Sequence, residues 1–134
     1  MTERKFEAVD GELYNAIGFV EEELEKHDCP MKVTMQITVA VEEIFVNIAH
    51  YAYWPNKGDM TLSVDATDCE VVIRFTDRGT PFDPLSRPDP DVSLSAEARR
   101  IGGLGIYMVK QTMDHVEYRY EDGQNILTLR KRIG

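Results

Sequence analysis

The fold is decided by residues 62–77, LSVDATDCEVVIRFTD, in which two alternating runs flank a polar turn at residues 66–68. Every second position of both runs is apolar: Leu62, Val64 and Ala66 in the first run, and Val71, Ile73 and Phe75 in the second. This alternation predicts two strands that each turn one face towards a core, joined as a hairpin. The parity of the second strand continues to Asp77, so a carboxylate is expected on the core side.

A buried carboxylate is costly unless something donates hydrogen bonds to it. Immediately after Asp77 the chain breaks at Gly79 and Pro81 into a loop, where a ligand could supply the donor. We therefore interpret Asp77 as the base-reading residue of a nucleotide pocket. Asn125 shares strand parity with Leu127, so it is expected on the same core face and in the same polar pocket; its ordinary alternative is a turn asparagine.

Two amphipathic helices are predicted before the hairpin. The first carries apolar residues at spacings of four, three and four, at Leu13, Ile17, Val20 and Leu24. The second starts at Pro30 and runs to about Ala52, with an apolar stripe at Val33, Ile37, Val41, Ile44 and Ile48. Residues 4–9 are expected to form a first strand, with Asp10 as the N-cap of the helix that follows.

The second half of the chain begins with a long segment without periodicity, from Arg78 to about Ile101, which holds four of the six prolines. A loop of that length in a compact domain is usually functional or disordered. A third helix is expected from about Leu104, and a closing hairpin turns at residues 121–124. The fold class predicted is α+β: a two-layer α/β sandwich with a mixed sheet covered on one face by three helices.

The whole chain has 134 residues, which suits a single domain over residues 1–134. Its net charge of −9 argues against a nucleic-acid-binding surface, because such surfaces need clustered Lys and Arg. No apolar run is long enough to cross a bilayer, and the N-terminus is not of the signal type, so we expect no membrane and a cytoplasmic location. Cys29 and Cys69 are isolated and are expected to be reduced thiols.

Glu43, Asn47 and His50 follow one another on one face of the second predicted helix, at spacings of four and three. An amide oxygen can ligate Mg²⁺, and a carboxylate can orient or deprotonate a nucleophile in phosphoryl transfer. On its own, the Glu43 and Asn47 pair more often means a partly solvated glutamate with a capping or bridging asparagine. We interpret His50 as a hydrogen-bonded boundary residue.

Gly103, Leu104 and Gly105 stand at the start of the third predicted helix. Exposed backbone N–H groups there could bind phosphates, and the helix dipole favours an anion. The alternative is a loop-to-helix turn that needs glycine. No Lys follows at the spacing of a P-loop, and no strand directly precedes the glycines as a dinucleotide-binding fingerprint requires.

Four segments in this order resemble a known family: VEEIFVNIAHYAY, DRGTPFDP, GGLGIYMVKQTMD and DGQNILTLRKRI. They are similar to the GHKL, or Bergerat-type, ATP-binding fold, and specifically to its bacterial anti-sigma-factor serine kinase branch. The resemblance covers nearly the entire chain. It implies that Glu43 is the general base, that Asn47 binds Mg²⁺, and that Asp77 receives the adenine amino group with Gly79 beside the base. The ATP-contacting residues implied are Asn47, Asp77, Gly79, Pro81, Gly102, Gly103, Leu104, Gly105 and Asn125.

Two positions depart from the pattern of that branch. Members often carry Arg immediately before the Gly-x-Gly, where this chain has Ile101 and Gly102, and it stays open whether Arg99 or Arg100 takes over phosphate sensing. The final strand commonly begins Gly-Thr-Thr, where this chain has Gln124 and Asn125 after its glycine. The Asn125 side chain can still offer an amide to the base.

The function implied by the resemblance is an ATP-dependent anti-sigma factor and serine protein kinase with ATP and Mg²⁺ as cofactors. Such a protein binds a sigma factor or similar regulator and phosphorylates a serine on an antagonist protein, and the loop at about residues 79–102 would be its lid. A homodimer is also implied, with the sheet face that carries Val72 as one candidate surface. The alternatives are a nucleotide-gated binding module without kinase activity, and a plain interaction domain with an empty pocket.

Overall fold

The computed structural model describes residues 1–86 and 104–133. The strands and helices are β1 (Thr2–Glu7), α1 (Leu13–Glu25), α2 (Met31–Tyr51), β2 (Asp59–Ala66), β3 (Glu70–Asp77), α3 (Leu104–Thr112), β4 (His115–Glu121) and β5 (Gln124–Arg132). Single 3-10 turns occur at Asp10–Glu12 and Pro84–Ser86. Residues 87–103 lie outside the described part, and with them Gly102, Gly103, Arg99, Arg100 and most of the predicted lid.

The five strands within the described ranges form one sheet in the order β1-β2-β3-β5-β4. The predicted two-layer α+β sandwich is confirmed, but the prediction of a mixed sheet is wrong, because every neighbouring pair is antiparallel. β3 and β4 do point the same way, as strands on either side of a helical connection often do. They are not neighbours, because β5 turns back from β4 and inserts between them. At the other edge of the sheet, two helices, α1 and α2, connect β1 to β2, and β2 runs antiparallel to β1.

The core lies between one face of the sheet and the three described α-helices. On β3 the side chains alternate, with Val71, Ile73, Phe75 and Asp77 buried and the residues between them half-buried. α2 lies between α1 and α3 and contacts both. Its apolar stripe is confirmed at Ile37, Val41 and Ile44, which are fully buried. Because the parity of β3 continues unbroken, the last buried position of the strand is the carboxylate.

The bounds of the helices and strands agree with those predicted from the sequence, except at the start of the chain. The hairpin is confirmed, with Ala66 opposite Val71. β1 ends before residue 8 rather than at residue 9, and Asp10 makes no capping hydrogen bond. The Asp10 carboxylate instead lies 2.8 Å from Nε2 of His50. This confirms that His50 is hydrogen-bonded, although the residue is exposed rather than at the boundary of the core. Within the described ranges, no helix is both long and apolar enough to cross a membrane.

Candidate functional site

A cavity of about 290 Å³ opens between the C-terminal half of α2, the ends of β3 and β5, and the loop that follows β3. This is close to the small end of the range for small-molecule sites. Its walls are mostly apolar, with a few polar side chains among them. The lining residues are Ile44, Asn47, Ile48, Tyr51, Ala52, Phe75, Asp77, Thr80, Pro81, Phe82, Pro84, Tyr118, Asn125 and Leu127.

Asp77 is the polar centre of this cavity and is only 5% exposed. Its Oδ1 accepts hydrogen bonds from the side-chain amide of Asn125 at 2.9 Å and from the backbone N–H of Gly79 at 2.9 Å. Burial raises the pKa of the Asp77 carboxyl, and these two donors oppose the rise. No group in the described part of the chain donates to Oδ2. One carboxylate oxygen is therefore held by the protein, and the other is left for a donor in the cavity.

Asn125 lies directly opposite Asp77 in the β3–β5 register, and its amide is held from both ends. Its Nδ2 donates to Asp77 and to the carbonyl of Thr80 at 3.1 Å, while its Oδ1 accepts from the N–H of Phe82 at 3.2 Å and from the Tyr118 hydroxyl. The prediction that Asp77 and Asn125 share one polar pocket is confirmed. Because the Asn125 amide joins Asp77 to the following loop, direct contact with a base stays a prediction.

The loop after Asp77 lies against the C-terminal end of α2. The N–H of Thr80 donates to the carbonyl of Ala52 at 2.8 Å. A Cβ on Gly79 would stand 2.2 Å from the same carbonyl oxygen, much closer than real contacts allow. Glycine is thus required at position 79 because backbone packs directly on backbone there. Pro81 follows on the cavity wall. Its contact with a ligand stays a prediction.

Glu43 and Gly105 are brought together where α2 packs against α3. A Cβ on Gly105 would lie 1.9 Å from Oε2 of Glu43, so a larger residue there would make that carboxylate move away from the first turn of α3. Burial, and secondarily the neighbouring Glu42 carboxylate, raises the pKa of Glu43. A raised pKa brings a carboxylate closer to the range in which it accepts a proton effectively.

Asn47 connects the two ends of the site. It lies one helical turn beyond Glu43 on α2 and lines the cavity that contains Asp77. The described residues contain no group of three or more His, Cys, Asp or Glu that could hold a metal ion by themselves. Any ion here would take most of its ligands from a bound molecule and water, which is the usual coordination of Mg²⁺ beside phosphates.

The sequence did not predict the roles of Tyr53 and Tyr118. Tyr118 faces the cavity because it pairs with Leu127 across the β4–β5 hairpin, and the inward parity of β4 could have identified it. The Tyr53 hydroxyl accepts from the N–H of Arg78 at 2.8 Å and donates to the carbonyl of Asp59 at 2.6 Å. No local pattern marks Tyr53, since it stands in the connection after α2.

The chain belongs to the family of histidine kinase-like ATPase domains, whose model matches residues 6–131. The match extends over both ends of the site, from the helix that carries Glu43 and Asn47 to the strand that carries Asn125. The family agrees with the resemblance of the four sequence segments.

Among its relatives is the serine-protein kinase RsbW of Listeria monocytogenes, 30% identical over 96 residues, or 68% of this chain and 61% of the relative. The serine/threonine-protein kinase BtrW of Bordetella bronchiseptica is 27% identical over 99 residues, or 73% of this chain and 70% of that protein. The chain thus spans about three fifths of the length of the RsbW relative. A solved Mycobacterium tuberculosis structure with RsbU and RsbW domains has the same fold, with a TM-score of 0.68 at 15% identity over 99% of this chain and 33% of that one.

Proposed function

We propose that this protein is an ATP-dependent serine protein kinase that also acts as an anti-sigma factor. The observation that carries the proposal is the Asp77 carboxylate, buried in an apolar cavity with one oxygen that no described residue hydrogen-bonds. A flat base with an exocyclic amino group, such as adenine, would supply the missing donor. The names of the RsbW and BtrW relatives support kinase activity in this branch of the family.

In this proposal the cavity binds the adenine of ATP. Ile48 and Leu127 contribute to its apolar wall. Asp77 accepts a hydrogen bond from the amino group. Gly79 and Pro81 lie beside the base. The phosphates extend towards the N-terminus of α3, where Leu104 and Gly105 follow the two glycines at 102 and 103 and backbone N–H groups favour an anion.

We assign transfer of the γ-phosphoryl group to the end of the site where Glu43 lies. Glu43 accepts the proton of the attacking serine hydroxyl while that oxygen bonds to the γ-phosphorus and ADP leaves. Asn47 would supply a side-chain oxygen to Mg²⁺, which when bound offsets the negative charge of the phosphates. The burial that raises the pKa of Glu43 supports its role as the proton acceptor.

The partners proposed are a sigma factor or similar regulator and an antagonist protein that carries the phosphoacceptor serine. Phosphorylation adds a charge of roughly −1.5 to −2 at neutral pH. Since this chain already carries a net charge of −9, the phosphorylated antagonist would be repelled and the kinase freed for its other partner. A cytoplasmic location is part of the proposal, and the free thiols of Cys29 and Cys69 fit a reducing compartment.

A homodimer through the sheet face opposite the described helices completes the proposal. The strand register forms a row across that face: Glu3, Ser63, Arg74, Thr128 and Glu117. Arg74 is central, and its Nε is buried without a hydrogen-bond partner among the described residues. A second copy placed face to face around a two-fold axis would bring a glutamate from an edge of its own row towards this guanidinium. Val72 lies on the same face and would be covered with it.

The test is incubation of the purified protein with labelled ATP and Mg²⁺ alongside candidate antagonist proteins encoded nearby. We expect label on a serine of one candidate, with transfer at least a hundredfold slower in Glu43→Gln while nucleotide affinity persists. Asn47→Ala should lose both binding and transfer. If the parent binds ATP but labels no candidate, the chain is a nucleotide-gated binding module instead. If it binds no nucleotide, the proposal fails.

A further inference from the structure

The Tyr53 hydroxyl stands where the β2–β3 ladder would have its next rung. Met60 pairs with Asp77 as the last rung, so the next antiparallel pair would be Asp59 and Arg78. Instead, the Arg78 N–H donates to the Tyr53 hydroxyl at 2.8 Å, and the hydroxyl donates to the Asp59 carbonyl at 2.6 Å. A side chain from the end of α2 thus bridges the two backbone groups that would otherwise bond to each other.

The Tyr53 ring is fixed in this place by close packing. A Cβ on Gly58 would lie 2.3 Å from a ring carbon, so residue 58 must be glycine for the ring to fit. Burial raises the pKa of the Tyr53 hydroxyl. The neutral hydroxyl is therefore retained at physiological pH, and it is the form that both accepts from one strand and donates to the other.

Because the Tyr53 hydroxyl takes the place of the next rung, β3 ends at Asp77 and the chain leaves the sheet there. From there the chain turns to the end of α2, where Gly79 packs against the carbonyl of Ala52 and Thr80 donates to it. Two consecutive residues, Ala52 and Tyr53, thereby hold the backbone on both sides of Gly79. The N–H of Gly79 in turn donates to Oδ1 of Asp77. The hydroxyl is thus connected to the base-reading carboxylate by a short, rigid path.

We propose that Tyr53 is a positioning residue for recognition of the base: through Arg78 and Gly79 it orients Asp77 towards an exocyclic amino group. The inference rests on the proposed function in one respect, that Asp77 reads the base. Without the hydroxyl, the Arg78 N–H and the Asp59 carbonyl either close up into a further rung or lose their partner. Both outcomes move the loop, and Asp77 no longer meets the amino group at hydrogen-bonding distance.

The experiment measures binding of Mg²⁺-ADP and of purine riboside 5′-diphosphate, which lacks only the 6-amino group, by titration calorimetry. Tyr53→Phe should weaken ADP binding about tenfold, the usual effect of one misplaced buried hydrogen bond. Binding of the purine riboside diphosphate should change less than about twofold, since it makes no bond that Asp77 could lose. The matched control is Tyr14→Phe, which removes a hydroxyl from a side chain that is 84% exposed and should change neither affinity.

Equal weakening of both ligands in Tyr53→Phe would mean general loosening and would overturn the positioning role, as would no weakening of either. If the parent itself shows no preference for ADP, Asp77 does not read the base, and the proposed function and this inference fail together. Should Tyr53→Phe not fold, Gly58→Ala replaces it. The added methyl displaces the ring while the hydroxyl remains, and the preference for ADP should be lost in the same way.

Discussion

Replacing Asp77 with asparagine should change stability and nucleotide binding in opposite directions. The new amide oxygen can still accept from Asn125 and Gly79, so the hydrogen bonds that the protein makes to Oδ1 survive. The amide nitrogen then takes the place of Oδ2 and presents a donor to the cavity, where an adenine amino group also donates. Asp77→Asn therefore removes the acceptor and leaves the loop in place.

The stability of the free protein should rise. Burial raises the pKa of Asp77, which means that the folded state binds the proton more tightly than the unfolded chain does. Stability then falls as pH rises from the ordinary aspartate range through the raised pKa, and at neutral pH the ionised group still opposes folding. Asparagine carries no charge, so the variant should melt at a higher temperature than the parent at pH 7 and lose this part of the pH dependence.

The nucleotide effect follows from linkage. A hydrogen bond to a charged group contributes about 1.5–3 kcal/mol, so we expect affinity to fall by roughly a hundredfold. At a ligand concentration of about one hundred times the parent's dissociation constant, the parent gains about 2.7 kcal/mol and the variant about 0.4 kcal/mol. For a domain of this size these values correspond to melting shifts of about 11 °C and about 2 °C.

The assay is thermal denaturation by circular dichroism, with and without Mg²⁺-ADP, for the parent and Asp77→Asn. Asn56→Asp, an exposed change in the connection after α2, is a control for an ordinary Asn/Asp exchange away from the cavity. If Asp77→Asn keeps the full shift with nucleotide, Asp77 does not accept the amino group. If the free variant melts at a lower temperature than the parent, the ionised Asp77 carboxylate does not oppose folding.

Three further predictions concern other parts of the molecule. The acid limb in the pH profile of the proposed kinase activity should lie above the ordinary glutamate range, because burial and Glu42 raise the pKa of Glu43. Glu42→Gln should move this limb to lower pH, and an unmoved limb would exclude the coupling. Gly79→Ala should abolish nucleotide binding, measured by calorimetry, because the added methyl group would clash with the backbone of Ala52. In Gly18→Ala the added methyl group would have no atom within 4 Å, so this variant should stabilise α1 by up to about 1 kcal/mol. Arg74→Glu should convert a dimer into a monomer in light scattering; an unchanged mass would refute the sheet-face interface.

The sequence by itself determined the elements and the faces of the chain. The periodicity of α2 and the proline before it predicted a helix from residue 30 to about residue 52, and the structure has Met31–Tyr51. Strand parity placed Asp77 and Asn125 inward, and both are buried. These features are local, since side chains alternate along a strand and recur along a helix regardless of what packs against them.

Only the tertiary structure decided which elements are neighbours. The sheet, predicted to be mixed, is antiparallel because β5 inserts between β3 and β4, and pattern alone does not specify that insertion. The bond from Asn125 to Asp77 joins residues 48 positions apart, and the bridge from Tyr53 to Arg78 joins residues 25 positions apart. Each depends on strand register and on how helix ends meet strand ends. Strand register and helix packing are set when the apolar faces of all elements are buried together, whereas a local sequence pattern shows only which face of one element is apolar.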